Sequence, residues 1–170
     1  MVKKRSMKKV SRRRLVKKTP QPTSPLPSRL TLQTIRIIES HSQLDVFDGV
    51  IPDKYVTNIQ SGIGVHPAEN TLVINTKVTV TSPNDGTGKP QSSIVIMVVA
   101  QCLFTLDAPV DLTSCPDEEV KATQQMGLFI SWPYVRHHVQ TSTGSMSIPP
   151  ITLPLLRIQP PPQLEAVKQE

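Results

Sequence analysis

Four histidines, two cysteines and a short run of carboxylates are the residues here that could do chemistry. Hydrolytic and group-transfer reactions need a nucleophile with a base, or paired carboxylates brought together. His41, His66, His137 and His138 stand in no metal-binding helical pair and no Cys/His pattern of ligand spacing. His137 and His138 are adjacent, so on a helix they point to different sides. Asp107, Asp111, Asp117, Glu118 and Glu119 gather in sequence, but their spacing matches no calcium loop. They read as loop and helix-start carboxylates. Gly62-Ile63-Gly64 and Gly86-Thr87-Gly88 lack the strand–loop–helix frame of a phosphate or dinucleotide loop. Cys102 and Cys115 are too few for a disulfide framework or a cysteine zinc site. They read as reduced thiols, with a single bridge between them as the alternative. No enzyme signature emerges, and no catalytic residue, metal or cofactor is expected.

The remaining chemical feature is charge. The chain of 170 residues carries a formal +6, but the average describes neither of its parts. Residues 1–18 hold ten Lys or Arg and no acid, and the rest holds nine basic and thirteen acidic residues, a net of −4. Lys3, Lys4, Arg5, Lys8, Lys9, Arg12, Arg13 and Arg14 are candidate contacts for a polyanion. The leader has no aromatic residue to stack on a base. Nucleic acid is therefore expected only through the leader, whose other readings are an anionic lipid surface or a solubilising arm.

The elements that must position these residues follow from periodicity. Residues 1–18 are expected to be disordered, because like charges at this density repel. Residues 19–28 hold four prolines and read as an extended linker, so the leader and linker together span 1–28. The folded domain is expected over 29–158, with a short Pro-rich tail over 159–170. Leu30 to Glu39 mixes apolar residues on both parities, which suits a strand partly covered on both faces. A looser stretch follows, with Phe47, Val50, Ile51, Tyr55, Val56 and Ile59. Leu72 to Val80 alternates cleanly, and Ser93 to Leu106 is a third long strand. The turn-forming loop Pro83–Pro90 between them predicts antiparallel neighbours.

After Pro116 the period changes. Asp117, Glu118 and Glu119 favour a helix start. Met126, Phe129, Ile130, Trp132, Val135 and Val139 recur at helical spacing. Pro133 either kinks one helix or opens a second at about 131–143. Gly144 is the expected stop. Ile148 to Ile158 is apolar but too proline-rich for a helix, and reads as an extended segment across the domain. The order of elements is that of an α+β domain. No apolar run approaches the roughly 20 residues of a membrane-spanning helix, and no apolar stretch follows the leader as in a signal peptide, so no membrane insertion and a cytoplasmic location are expected.

Residues Leu128–Ile158 carry a more specific signal. Pro133-Tyr134-Val135-Arg136, followed by Pro149-Pro150-Ile151-Thr152-Leu153-Pro154, resembles the C-terminal half of the SecB family of protein-export chaperones. The strands over Leu30–Leu106 resemble that family at the level of pattern. The resemblance implies a four-stranded antiparallel sheet with a long helix, assembled as a homotetramer, a dimer of dimers. It implies ATP-independent binding of unfolded preproteins and transfer to the SecA motor. It assigns Phe104, Ile148, Ile151, Leu153, Leu155 and Ile158 to a client groove. Trp132, Tyr134, Val135 and Val139 fall to helix packing or subunit contacts, with Arg136 orienting the helix through hydrogen bonds. The basic leader and the short end after Pro160-Pro161-Pro162 depart from the family pattern. Two further readings stand beside the holdase: a SecB-like chaperone dedicated to a narrow client such as an antitoxin, and a nucleic-acid- or ribosome-associated protein acting through the leader.

Overall fold

The computed structural model describes residues 24–66, 70–83, 86 and 91–156. The basic leader, Arg157, Ile158 and the tail lie outside them, as does most of the loop after Pro83. Four strands form one antiparallel sheet: β1 (Leu30–Asp45), β2 (Val56–His66), β3 (Thr71–Thr81) and β4 (Ser93–Leu106). Their order is β1-β4-β3-β2, so β1 and β2 are the edges. One helix, α1 (Asp117–Ser145), follows the sheet. This is the α+β architecture expected, and the sheet is open rather than closed into a barrel.

Period-2 alternation decides which residues face the helix. In β3 and β4 every even-numbered residue is buried, from Leu72 to Val80 and from Ile94 to Leu106. These rows meet Trp132, Val135 and Val139 in one core cluster, and Leu26 in a second. β1 obeys the same rule only after two corrections of phase. Register shifts between Leu32 and Thr34 and between Ile37 and Glu39 mark β-bulges. Each bulge inserts one residue and flips parity. Leu30, Leu32, Ile35, Ile37 and Leu44 therefore lie opposite inward residues of β4. The mixed parity of this segment reflects bulges, not cover on both faces, and most of β1 is exposed. The looser stretch after it contains a full strand. β2 is poor in strand formers, with Asn58, Gln60, Gly62 and Gly64, and forms through its ladder to β3.

Packing begins ahead of Arg29. A short 3₁₀ turn at Leu26–Arg29 buries Leu26 to 1% exposure. Its amide donates to Glu119 Oε2 at 2.9 Å. The expected extended linker therefore stops short of this turn.

α1 is one helix, not two. Pro133 lies inside it on the exposed side, where the carbonyl that loses its donor is turned away from the sheet. The helix can lie close because Thr123, Gly127 and Ser131 are small and buried. Thr123 Oγ1 and Ser131 Oγ donate to carbonyls of their own helix, so neither hydroxyl is orphaned. A Cβ on Gly127 would stand 2.5 Å from Ile74 Cγ2. Helix propensity alone favours alanine there by about 1 kcal/mol. The clash outweighs it, since overpacking costs about 1–3 kcal/mol. Gly127→Ala should lower stability in urea unfolding, and an unchanged or raised midpoint would contradict this close approach.

The helix also ends differently from expectation. Gly144 is its penultimate residue, and Ser147 takes the left-handed conformation with φ 57°. Ser147 N–H donates to Gly144 O, and Ile148 N–H to Thr143 O. That pair of bonds is a Schellman cap with serine where glycine is usual. A glycine there relieves steric cost, partly offset by chain entropy. Ser147→Gly should stabilise by about 0.5–1 kcal/mol, read as a higher urea midpoint at unchanged slope.

Candidate functional site

The titratable residues disperse. Asp107 pairs with buried Arg29 at 2.9 Å. Asp111 accepts from Thr113 N–H and Oγ1–H, which hold its carboxyl below the usual range. Glu119 receives the Leu26 amide. Asp107 and Glu119 thus tie the turn at Leu26–Arg29 to the domain, and Asp111 caps the short turn at Leu112–Ser114. Both cysteines are free. Burial pushes the Cys102 thiol up to about 11, and it points at Gly127 O. Among the described residues no group of three or more His, Cys, Asp or Glu could hold a metal ion. The described helix is not long and apolar enough to cross a membrane.

The residues assigned to a client groove divide. Phe104, Ile148, Ile151 and Leu153 are buried, and Phe104 is 2% exposed against Leu72 and Ile74. Leu155 is 74% exposed. Ile158 lies outside the described residues. The segment from Ile148 to Leu156 is extended, as expected, and runs along α1. Trp132 Nε1 donates to Pro154 O at 2.9 Å and Gln140 Nε2 to Thr152 Oγ1 at 3.3 Å. Within this chain its inward side chains complete the core instead of opening to solvent. Trp132, Val135 and Val139 pack on the sheet, while Tyr134 is half exposed. Arg136 does not act through its Nε, which is buried without a partner. Packing of Trp132, Val135 and Val139 holds the helix in its place.

Among the described residues, exposed apolar side chains cluster where sequence reasoning saw only a loose stretch. Val46, Phe47, Val50, Ile51 and Val56 are all exposed, Phe47 to 45% and Val50 to 63%. The first four belong to the connection between β1 and β2, and Val56 opens β2. Asp48 (φ 51°) and Gly49 (φ 70°) form a tight turn of the left-handed type, and Phe47 pairs with Val50 across it. Phe47 is pinned to the start of β4 by bonds between its backbone and Ser92 Oγ at 2.7 and 3.1 Å. A two-residue Asp-Gly turn between apolar residues is a hairpin signal that the sequence carries. The connection and the Ile148–Leu156 segment share a neighbourhood. Leu44, Tyr55, Met146 and Leu156 pack on the core cluster that contains Ile148, Ile151 and Leu153. A separate open depression of ≈ 190 Å³, between β2 and α1, is lined by Ser61, Lys121, Gln124, Gln125 and Leu128. It is too small to seat an extended chain.

A held turn, an exposed apolar strip and two strands that are edges among the described residues can offer an unfolded chain both apolar contacts and backbone pairing. Comparison with solved structures bears on the fold. The SecB-like chaperone Rv1957 of Mycobacterium tuberculosis, in complex with a ChAD peptide from the antitoxin HigA1, superposes with a TM-score of 0.63. The likeness covers 79% of this chain and 96% of that one at 22% identity. This is a SecB-like fold. A protein of unknown function from Streptococcus agalactiae matches more distantly, with a TM-score of 0.38 at 11% identity, over 74% of this chain and 97% of that one. No protein-family model and no curated protein matches the sequence. The SecB-like fold, with its sheet and single long helix, is thus carried by the structure, where sequence identity is low.

The exposed strip and the buried segment separate by mutation. Phe47→Ser with Val50→Ser should leave the urea midpoint nearly unchanged and weaken capture of an unfolded protein. Leu153→Ala should cost about 2–5 kcal/mol of stability. A large stability loss in the first variant would show that the strip is core.

Proposed function

We propose that the protein is an ATP-independent chaperone that holds unfolded clients, and that its clients are few. The observation that supports this most is the likeness of its fold to a SecB-like chaperone bound to an antitoxin peptide. Exposed Val46, Phe47, Val50, Ile51 and Leu155 would supply shallow apolar contacts to an extended client. Each is worth little alone, at about 25 cal/mol per Å² removed from water, so capture depends on several together. The edges β1 and β2 add backbone groups for pairing. No nucleotide site is required, because holding a chain needs only binding.

The working form we propose is a homo-oligomer, a dimer of dimers, in the cytoplasm. Half-exposed Tyr134 on the outer side of α1 and the exposed edge β1 are surfaces that assembly would cover. Preprotein export through SecA is the broader alternative. An acidic face for SecA, as the SecB resemblance implies, would have to come from the carboxylates between 107 and 119, and three of those five are engaged within the domain, which favours the narrower reading.

Two measurements check this. At several-fold excess and without ATP, the full chain should slow aggregation of a chemically unfolded enzyme diluted into buffer; no slowing would remove the holdase. Mass measurement in solution should give an assembly larger than one chain, and a strict monomer would contradict the assembly.

A further inference from the structure

The exposed connection between β1 and β2 is acidic as well as apolar. Asp45, Asp48 and Asp53 flank Val46, Phe47, Val50 and Ile51, against one cation, Lys54. A fitting occupant would interleave apolar and basic residues. Such a segment is present in this chain. Residues 1–18 set Val2, Met7, Val10, Leu15 and Val16 among ten Lys and Arg, with no acid. We propose that the chain's own leader docks on the strip from Val46 to Val56. This rests on the chaperone reading for its consequence, since a docked leader competes with clients for that strip.

Reach permits it. The leader's root, Leu26, packs beside Leu106, at one end of β4. The connection starts beside Ser93, at the other end, where Asp45 pairs with it. That separation is the length of β4, roughly 45 Å for fourteen residues. From Ser24 back to Met7 the chain can extend about 56–60 Å. Met7 and Val2 therefore reach the strip with length to spare. Tethering gives the leader an effective concentration on the order of millimolar, enough for a weak contact to be occupied. The carboxylates beside the root are the rival surface. Asp107, Asp111 and Glu119 are already engaged, and none of the exposed large apolar side chains lies between 107 and 119. They can attract the leader's charge but not cover its apolar residues.

The test uses the full chain with a photo-crosslinking amino acid, p-benzoylphenylalanine, in place of Met7. Links within one chain to residues 46–56, lost in the Phe47→Ser, Val50→Ser variant, are expected. Links to residues 107–119, links only between copies, or no links overturn the proposal. A second arm measures binding of fluorescein-labelled, reduced and carboxymethylated lactalbumin at low salt. Full chain with Lys8, Lys9, Arg12, Arg13 and Arg14 all changed to Gln should bind it about three- to ten-fold more tightly than the native chain. Equal or weaker binding counts against competition. Links to 46–56 with no probe binding by either chain would uphold the contact and remove the chaperone reading. Probe binding without such links would do the reverse.

Discussion

One helix has to cover one face of a four-stranded sheet, and it succeeds only by lying close. α1 has 29 residues, about 43 Å at 1.5 Å per residue, which matches the length of β4. The near contact is made at Gly127 over Ile74, with Thr123 and Ser131 beside it. Everything else follows from that economy of cover. The even rows of β3 and β4 are sealed, and the extended Ile148–Leu156 segment fills the gap along the helix. What one helix cannot reach stays exposed: the edges β1 and β2, the connection between them, and the outer face of the sheet. On that outer face Arg36 donates to Gln101, and Gln101 to Asn75, so its centre is polar and self-satisfied. Exposed apolar side chains are most closely spaced at the connection, while Leu32, Ile38 and Ile59 stand singly on the edge strands.

This distribution separates the residues that form the core from those left exposed along the chain. Residues between 71 and 153, with Leu26, carry the core, and most of their apolar side chains are spent on it. The β1–β2 connection contributes little to that core beyond Leu44 and Tyr55. It nonetheless has a defined shape, because the Asp48-Gly49 turn and Ser92 hold Phe47 in place. An ordered apolar strip loses little entropy when a client binds. Weak individual contacts on a prepared surface would suit the client holding proposed above.

Much of the fold was legible in the residues, and the failures have physical causes. Alternation located β3 and β4 because both are central strands with one buried face. The acids after Pro116 and the helical spacing through Val139 located α1. β1 misled because two bulges break its period, and β2 because its Gly and polar residues become a strand only through pairing with β3. Ser147 hid the helix end, since serine seldom adopts positive φ. The site was less legible. Apolar residues in Ile148–Leu153 look alike whether they line a groove or close a core; in the structure Ile148, Ile151 and Leu153 share a cluster with Trp132 and Val139. The Val46–Ile51 strip carried a signal in Asp48-Gly49, but its exposure depends on where the sheet ends.

Hydrogen exchange on the full chain, with and without a bound unfolded client, tests the central claim most directly. The account predicts that the client adds protection at residues 46–56 and along the exposed edge of β1, while the amides of β4, central in the sheet, exchange as before. Protection confined to other surfaces, or none, would contradict it.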